Sequence, residues 1–219
     1  SPALCIDFKQ GAAPFFFVMG EEQGVMDILG SGLCPWQVYL AYQPHQRPAI
    51  ESFYRLHQKT SMRRMHVTNN SFKAADGGAV RLTGADANEV NWLYLRGMNC
   101  YVQPRQIEEG TYCGIWHHGH LVSVAGTHVI SQSQGIAAVG NVFTHPQHRC
   151  QGLAVACTSA VTQELLRTCR DVVLNVRDDN AQATRVYERL GYREHCLFVE
   201  ALGVWRLRTL LKRLARRFF

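Results

Sequence analysis

Residues 139–154 read VGNVFTHPQHRCQGLA, and the predicted secondary structure changes twice within them, from strand to loop and from loop to helix. The stretch begins as an apolar run, turns at His145-Pro146, and passes Gly152 into an apolar pattern without proline that predicts a helix to about Thr168. A strand that leads through a glycine-bearing loop into a helix N-terminus can hold a phosphate group, because the loop amides and the helix dipole favour an anion. By itself the pattern is also compatible with an ordinary turn before a helix.

A second pattern follows the strand that is predicted for residues 172–176. Residues 180–192 read NAQATRVYERLGY, which gives the spacing N-x-x-A-x-x-x-Y-x-x-x-G. This pattern and the earlier R-x-x-G-x-A resemble the two CoA-binding motifs of the GNAT superfamily of N-acyltransferases, and the resemblance covers residues 80–201. It implies an α/β fold, of the α+β type, with a mixed, mostly antiparallel sheet flanked by helices.

The resemblance implies acetyl-CoA, or another acyl-CoA, as cosubstrate and an amine as acceptor. In the family, backbone groups before the loop bind the pantetheine, and the loop amides bind the pyrophosphate. Asn175, inside the apolar strand, either faces the cofactor or bonds a neighbouring loop, while Asn180 can bond the pantetheine or cap its helix. The cofactor-binding residues expected on this basis are Val142, Phe143, Thr144, Arg149, Cys150, Gln151, Gly152, Leu153, Ala154, Asn175, Asn180, Ala183 and Tyr187.

Cys150 stands where the family most often has glycine. Because only its backbone amide is needed, we expect the cysteine to be tolerated provided that its φ angle is negative. A redox or self-acylation role for the thiol is the alternative to a packing role.

The catalytic residues implied are Tyr187 and a general base. Tyr187 matches the family's general acid, which protonates the CoA sulfur, although a tyrosine at helical spacing is also typical of a core residue. Many relatives carry a glutamate on the central strand, but residues 136–144 contain no acid. The candidate bases are His128, His145, Glu108, Glu109 and His117. His128 is preferred because it lies on the strand next to the central one, and a water relay to bulk solvent is the alternative.

The first third of the chain is predicted to alternate short strands and turns. Apolar runs indicate strands at residues 15–19, 25–29, 38–41 and 62–67, and a helix from Pro48 whose inner face includes His57. Residues 42–47, YQPHQR, echo residues 144–149, THPQHR, but without the glycine. The segment is therefore either a degenerate repeat of the acyltransferase half or an unrelated α/β cap.

The predicted domains are residues 1–75, residues 79–201 and a tail at residues 202–219. Residues 69–78, NNSFKAADGG, are polar and end in two glycines, which is typical of a linker. Thr83 can cap a helix with Asp86, and the strands at residues 111–116 and 121–130 are joined by a hairpin that needs Gly119.

The tail carries the whole net charge of the chain. The protein has 219 residues, 23 Lys and Arg and 17 Asp and Glu, and the six bases of the tail account for the excess. Its apolar residues recur at three and four positions and predict an amphipathic helix; these residues are Val204, Leu207, Leu211, Leu214 and Phe218. We expect this helix to pack on its own domain, with a membrane surface as the alternative.

The remaining expectations concern location and partners. The chain has no signal-like segment or apolar run long enough to span a bilayer, and its scattered cysteines favour reduced thiols in a cytoplasmic protein. No metal and no nucleic-acid partner is expected, and a homodimer is compatible with the sequence. The alternative function is a non-catalytic acyl-CoA-binding regulatory module.

Overall fold

The computed structural model describes residues 3–8, 14–31, 34–98 and 100–206. The strands are β1 (Ala3–Phe8), β2 (Phe15–Gly20), β3 (Gln37–Tyr42), β4 (Tyr54–Thr68), β5 (Val80–Arg81), β6 (Cys113–His117), β7 (His120–Ser131), β8 (Ile136–Thr144), β9 (Asp171–Arg177) and β10 (Arg193–Trp205). The helices are α1 (Glu22–Gly30), α2 (Arg47–Phe53), α3 (Ala87–Tyr94), α4 (Pro104–Glu109), α5 (Leu153–Leu165) and α6 (Ala181–Arg189). The fold is mixed α/β with a largely antiparallel sheet flanked by helices, which confirms the predicted class.

The backbone forms two compact units. The first contains Ser1–Arg63, Arg177–Asp179 and Cys196–Phe219, and the second contains Arg64–Val176 and Asn180–His195. Strands β4 and β10 therefore contribute residues to both units. The predicted division into residues 1–75, 79–201 and 202–219 stays a prediction.

The first unit has the strand order β1-β2-β3-β10. β1 and β2 are antiparallel, β2 and β3 are parallel and joined through α1, and β10 runs antiparallel to β3. Its core consists of buried apolar side chains from β2, β3, β10, α1 and α2, among them Val25, Leu29 and Ile50.

The prediction of a strand at residues 25–29 is wrong, because these residues lie in α1. Val25 and Leu29, four positions apart, share the buried face of this helix. The prediction of a helix that includes His57 is also wrong, because α2 ends at Phe53 and His57 lies in β4. Both errors concern short apolar segments, in which strand and helix periods cannot be told apart.

The second unit has the order β4-β9-β8-β7-β6-β5. β7 is antiparallel to β8, and β8 and β9 are parallel and joined through α5. Side-chain contacts between β4 and β9 run in opposite directions, from Arg64–Asn175 to His66–Asp171, as in an antiparallel pair. The predicted linker lies inside this unit, where the Lys73 N–H donates to the Leu190 carbonyl at 3.0 Å.

The two units repeat one arrangement of strands. β1, β2, α1, β3 and α2 follow the same order and strand directions as β7, β8, α5, β9 and α6. In this comparison β3 corresponds to β9 and not to β8, so the predicted equivalence of residues 42–47 and 144–149 is wrong. The element that corresponds to the α5 loop is the single residue Glu21 between β2 and α1.

The start of the predicted tail helix is also wrong. Leu202, Gly203 and Val204 pair with β3 in the strand β10, which ends at Trp205. The rest of the predicted stripe, from Leu207 on, lies outside the described residues. None of the described helices is long and apolar enough to cross a membrane.

Candidate active site

The edge of β8 that faces β9 is open over its second half. Within the described chain, β8 and β9 pair only from Ile136↔Asp171 to Val139↔Leu174. The pairing of β8 with β7 continues as far as Thr144. The two parallel strands therefore separate after Val139 and leave backbone groups of β8 without a strand partner.

Backbone direction decides which groups of β8 are exposed at this open edge. The His145 N–H donates to the Val122 carbonyl at 2.8 Å, so its backbone faces β7. Since backbone direction alternates, Phe143 also faces β7, whereas Val142 and Thr144 face the open side. Among the predicted pantetheine contacts, Val142 and Thr144 thus have backbone groups on the open side, and Phe143 does not. The Thr144 carbonyl accepts a hydrogen bond from Arg149 Nε at 3.4 Å, so the Thr144 N–H is the group of that residue left for the pantetheine.

A β-bulge at Asn141 explains the separation of the strands. Val124 pairs with Phe143 and Gly126 with Gly140, so Asn141 and Val142 together oppose one residue of β7. Asn141 has φ of 54°, a left-handed conformation that asparagine tolerates better than most residues. The bulge bends β8 away from β9. Sequence analysis missed Asn141, although a Gly-Asn pair inside a strand is a signal for such a bulge.

The loop between β8 and α5 has the geometry of an anion site. Gly152 precedes the first residue of α5 with φ of 79°, and a Cβ placed on it would meet no atom within 4 Å. The first amides of a helix have no carbonyl partner inside it. The space that a Gly152 side chain would occupy, next to the start of α5, is therefore open, and the residues that could hold a phosphate here are those predicted from Arg149 to Ala154.

Cys150 does not have the negative φ angle that the sequence analysis expected of it. Its φ is +63°, in the left-handed region that favours glycine. The side chain is exposed, and its sulfur accepts a hydrogen bond from Gln182 Nε2 at 3.7 Å. The cysteine is therefore tolerated with backbone strain, and this contact connects the loop to the first turn of α6.

This strain leads to a prediction about stability. Replacing Cys150 with glycine is expected to raise the free energy of unfolding by about 1 kcal/mol, because the Cβ that opposes a positive φ is removed. The melting temperature should rise by about 2–4 °C in a chain of this size. Cys150→Ala is the matched control, because it loses the same sulfur contact and keeps the Cβ; equal melting temperatures for the two variants would contradict the strain.

Helix α6 presents the residues of the second motif. The Asn180 Oδ1 accepts a hydrogen bond from the Ala183 N–H at 3.0 Å and so caps the helix. Tyr187 is 7% exposed and packs edge-to-face on Tyr192, with 6.2 Å between ring centroids. Burial raises the pKa of Tyr187 to about 12, which keeps the phenol protonated at neutral pH. Asn175, on β9, accepts a hydrogen bond from Arg64 Nε at 3.1 Å, so its amide contacts a neighbouring strand.

The acidic base candidates are engaged in local contacts. Glu108 accepts a hydrogen bond from the Gly84 N–H at 2.7 Å. Glu109 forms an exposed ion pair with Arg105 at 2.6 Å. The first contact joins α4 to the segment before α3 and the second lies within α4, so neither involves β8.

The histidine candidates fall into two places. Four histidine rings form a chain beside the α5 loop, in the order His118, His117, His148 and His145, with successive ring centroids 4.2, 5.1 and 5.6 Å apart. Burial and the positive charges of its neighbours lower the pKa of His145. The described residues include no group of three or more His, Cys, Asp or Glu that could hold a metal ion. His128 is elsewhere: its ring lies over Gly140, where β8 leaves β9.

The comparisons with known proteins agree with this geometry. Residues 85–192 match the family model described as the acetyltransferase (GNAT) family. The chain is similar in structure to a GNAT-family protein from Novosphingobium aromaticivorans, with 21% identity, 91% of both chains covered and a TM-score of 0.66. No curated protein sequence matches the chain significantly.

Two further solved structures cover most of the chain. A GCN5-related N-acetyltransferase from Kribbella flavida has 20% identity, with 87% of this chain and 81% of that chain covered and a TM-score of 0.61. A tandem GNAT protein from the clavulanic acid biosynthesis pathway has 13% identity, with 92% and 78% covered and a TM-score of 0.61. At these identities the structures show the fold, and the family match includes both the α5 loop and α6. Through residues 85–192 the chain belongs to the GNAT family of acetyltransferases, which transfer acyl groups from CoA.

Proposed function

We propose that the second unit transfers an acetyl group from acetyl-CoA to an amine by direct attack. The observation that carries this proposal is the open edge of β8 that leads into the left-handed Gly152 and the free amides of α5. The edge offers hydrogen bonds to an extended amide chain, and the loop offers amides and a helix dipole to a pyrophosphate. The open edge and the loop follow each other along the chain, in the same order as the pantetheine and the pyrophosphate follow each other in CoA.

The proposed binding residues divide by the part of CoA that they contact. Val142 and Thr144 bind the pantetheine through their backbone, and Asn180 lies at the start of α6 beside it. The loop contributes main-chain amides, so its side chains are free to vary, as Cys150 illustrates. The loop residues are Arg149, Cys150, Gln151, Gly152, Leu153 and Ala154.

Tyr187 is proposed as the general acid. Cleavage of the thioester leaves a thiolate, which a protonated phenol can stabilise and protonate. Tyr187 suits this role because burial keeps its proton, and because no described residue makes a hydrogen bond with its hydroxyl group. The hydroxyl is thus left available for the sulfur.

His128 is proposed as the general base that accepts the amine proton. Among the candidates it is the one whose ring lies over β8 where the edge opens, against Gly140. A neutral imidazole can accept a proton near neutral pH. His128→Gln should therefore lower turnover at neutral pH while leaving the affinity for acetyl-CoA unchanged.

Release of free thiol from acetyl-CoA, measured with and without a library of primary amines, tests the proposed reaction. We expect release that depends on the amine, with the acetylated amine identified by mass spectrometry. The alternative, a regulatory module that binds acyl-CoA without turnover, is favoured by the absence of an acid in β8. It predicts binding of acetyl-CoA with no release for any amine.

The first unit is proposed to be a degenerate copy that cannot hold CoA. Its strand order repeats that of the second unit, but Glu21 alone separates β2 from α1, and Glu22 follows in the first turn of the helix. Two carboxylates at a helix N-terminus repel phosphate. We therefore expect calorimetry to give one acetyl-CoA per chain, and two equivalents would contradict this assignment.

The tail gives a prediction about partners. The test is a deletion of the tail, and because β10 ends at Trp205 it should remove residues 207–219 only. We expect it to lower solubility or stability and to leave acetyl-CoA binding unchanged. Co-sedimentation with anionic liposomes at low and moderate salt checks the alternative. Tight, salt-sensitive binding that the deletion removes would show a membrane-surface role and contradict packing of the tail on its own domain.

A further inference from the structure

The side chain of Asn141 makes three hydrogen bonds beside the open edge of β8. Its Nδ2 lies 2.8 Å from the hydroxyl of Tyr112, and its Oδ1 lies 2.9 Å from His128 Nε2. The Cys100 sulfur, 3.7 Å away, also donates to Oδ1. The side-chain amide of Asn141 in β8 thus contacts three other parts of the chain. These are Tyr112, just before β6; Cys100, in the loop before α4; and His128, in β7.

The proton count of this network decides how the amide is oriented. A phenol has one proton, and that of Tyr112 is directed at the Thr127 carbonyl, 3.3 Å away. The Tyr112 oxygen must then accept from Asn141, which turns the Nδ2 group toward the phenol. The Asn141 carbonyl consequently faces His128 and Cys100, which must both be donors.

We infer that Asn141 is a positioning residue that holds His128 in the tautomer with hydrogen on Nε2, so that Nδ1 is the nitrogen that accepts a proton. The inference rests on the proposed role of His128 as general base. A base whose tautomer is fixed always presents the same lone pair, and no part of the population is lost to the wrong tautomer.

The surroundings keep this network rigid and uncharged. The His128 ring is seated on Gly140 and the Tyr112 ring on Gly126, and a Cβ at either glycine would overlap the ring. The Tyr94 hydroxyl donates to the Asn141 carbonyl of the backbone at 2.8 Å. Burial raises the pKa of Tyr94, Tyr112 and Cys100, so these neighbours are neutral at pH 7.

The direct test is the tautomer of His128, read from long-range ¹H–¹⁵N spectra of the full chain. The signals are assigned by their loss in His128→Gln. We expect the Nε2–H tautomer in the parent and a mixture of tautomers in Asn141→Gly, which keeps the positive φ without strain. Cys100→Ala, which removes the other donor to the same oxygen, should keep the parent tautomer. An Nδ1–H tautomer in the parent, or an unchanged tautomer in Asn141→Gly, overturns the inference.

Kinetics supply a second readout that a merely structural role would not move. Asn141→Gly should lower kcat about fivefold or more with an unchanged KM for acetyl-CoA.

In Asn141→Asp the new carboxylate favours protonated imidazole, so the acid limb of the rate profile should move up by about one pH unit. An unmoved acid limb overturns the inference. Full turnover in His128→Gln would instead overturn the proposed base, and absence of thiol release in the parent would overturn the proposed function.

Discussion

Replacing Gly152 with aspartate is expected to reduce the affinity for acetyl-CoA by at least about 100-fold, or about 2.7 kcal/mol. The Cβ of the new residue would enter open space next to the start of α5, where no protein atom lies within 4 Å. Its carboxylate would also take the place proposed for the pyrophosphate and repel it. Calorimetric titration of the full chain with acetyl-CoA measures the loss.

The control must separate phosphate binding from backbone strain. Gly135 also has a positive φ, of 66°, and lies in the turn before β8, at the end of the strand away from the loop. Gly135→Asp therefore imposes the same conformational cost and should bind acetyl-CoA like the parent. If Gly152→Asp binds as well as Gly135→Asp does, the assignment of the phosphate loop is wrong.

Tyr187→Phe is expected to lower turnover at least tenfold, on the order of 1.4 kcal/mol in the barrier, with little change in acetyl-CoA affinity. The substitution removes the proposed proton donor and keeps the ring that packs in the core. Steady-state thiol release gives turnover, and calorimetry gives affinity. A lower kcat with an unchanged affinity for acetyl-CoA is expected of a group that acts on the leaving thiolate.

Tyr192→Phe provides the matched control for this variant. Its ring contacts Tyr187 and is also buried, but its hydroxyl bonds the hydroxyl of Thr162 at 2.7 Å. The loss of this bond should lower stability and leave turnover at the parental level. Unchanged turnover in Tyr187→Phe, or an equal loss in both variants, would demote Tyr187 to a packing residue.

The parts of the fold that follow from local signals could be predicted from the sequence. The predicted central strand coincides with β8, Ile136–Thr144. Thr83 donates its N–H to Asp86 Oδ2 at 2.7 Å, and Asn180 caps α6, as the capping patterns indicate. The two capping signals lie within four residues and the strand is one continuous run of 9 residues, so these signals are local and do not depend on the rest of the fold.

Elements whose identity depends on distant partners could not be predicted in this way. The apolar spacing that begins at Val204 is compatible with a helix, but pairing with β3 makes Val204 part of a strand. Residues 25–29 are too few to distinguish the two periods. In both cases tertiary packing outweighs local preference.

The same distinction between local signals and distant partners applies to the candidate site. The motifs predict the loop and Tyr187, because their residues are close in sequence and their spacing is specific. They do not predict the contacts of Asn141, since Tyr112 lies just before β6 and His128 lies in β7, and the bulge depends on the register between β7 and β8. The positive φ of Cys150 likewise follows from the path of the loop and not from its sequence.

A crystal structure of the full chain with a non-hydrolysable acetyl-CoA analogue tests the central claim most directly. We predict the pyrophosphate on the amides of residues 150–154 and the pantetheine on the backbone of Val142 and Thr144. The atom that replaces the thioester sulfur should lie within hydrogen-bond distance of the Tyr187 hydroxyl, about 3.5 Å or less. An analogue bound away from the open edge of β8, or with its thioester position out of reach of Tyr187, would contradict the account.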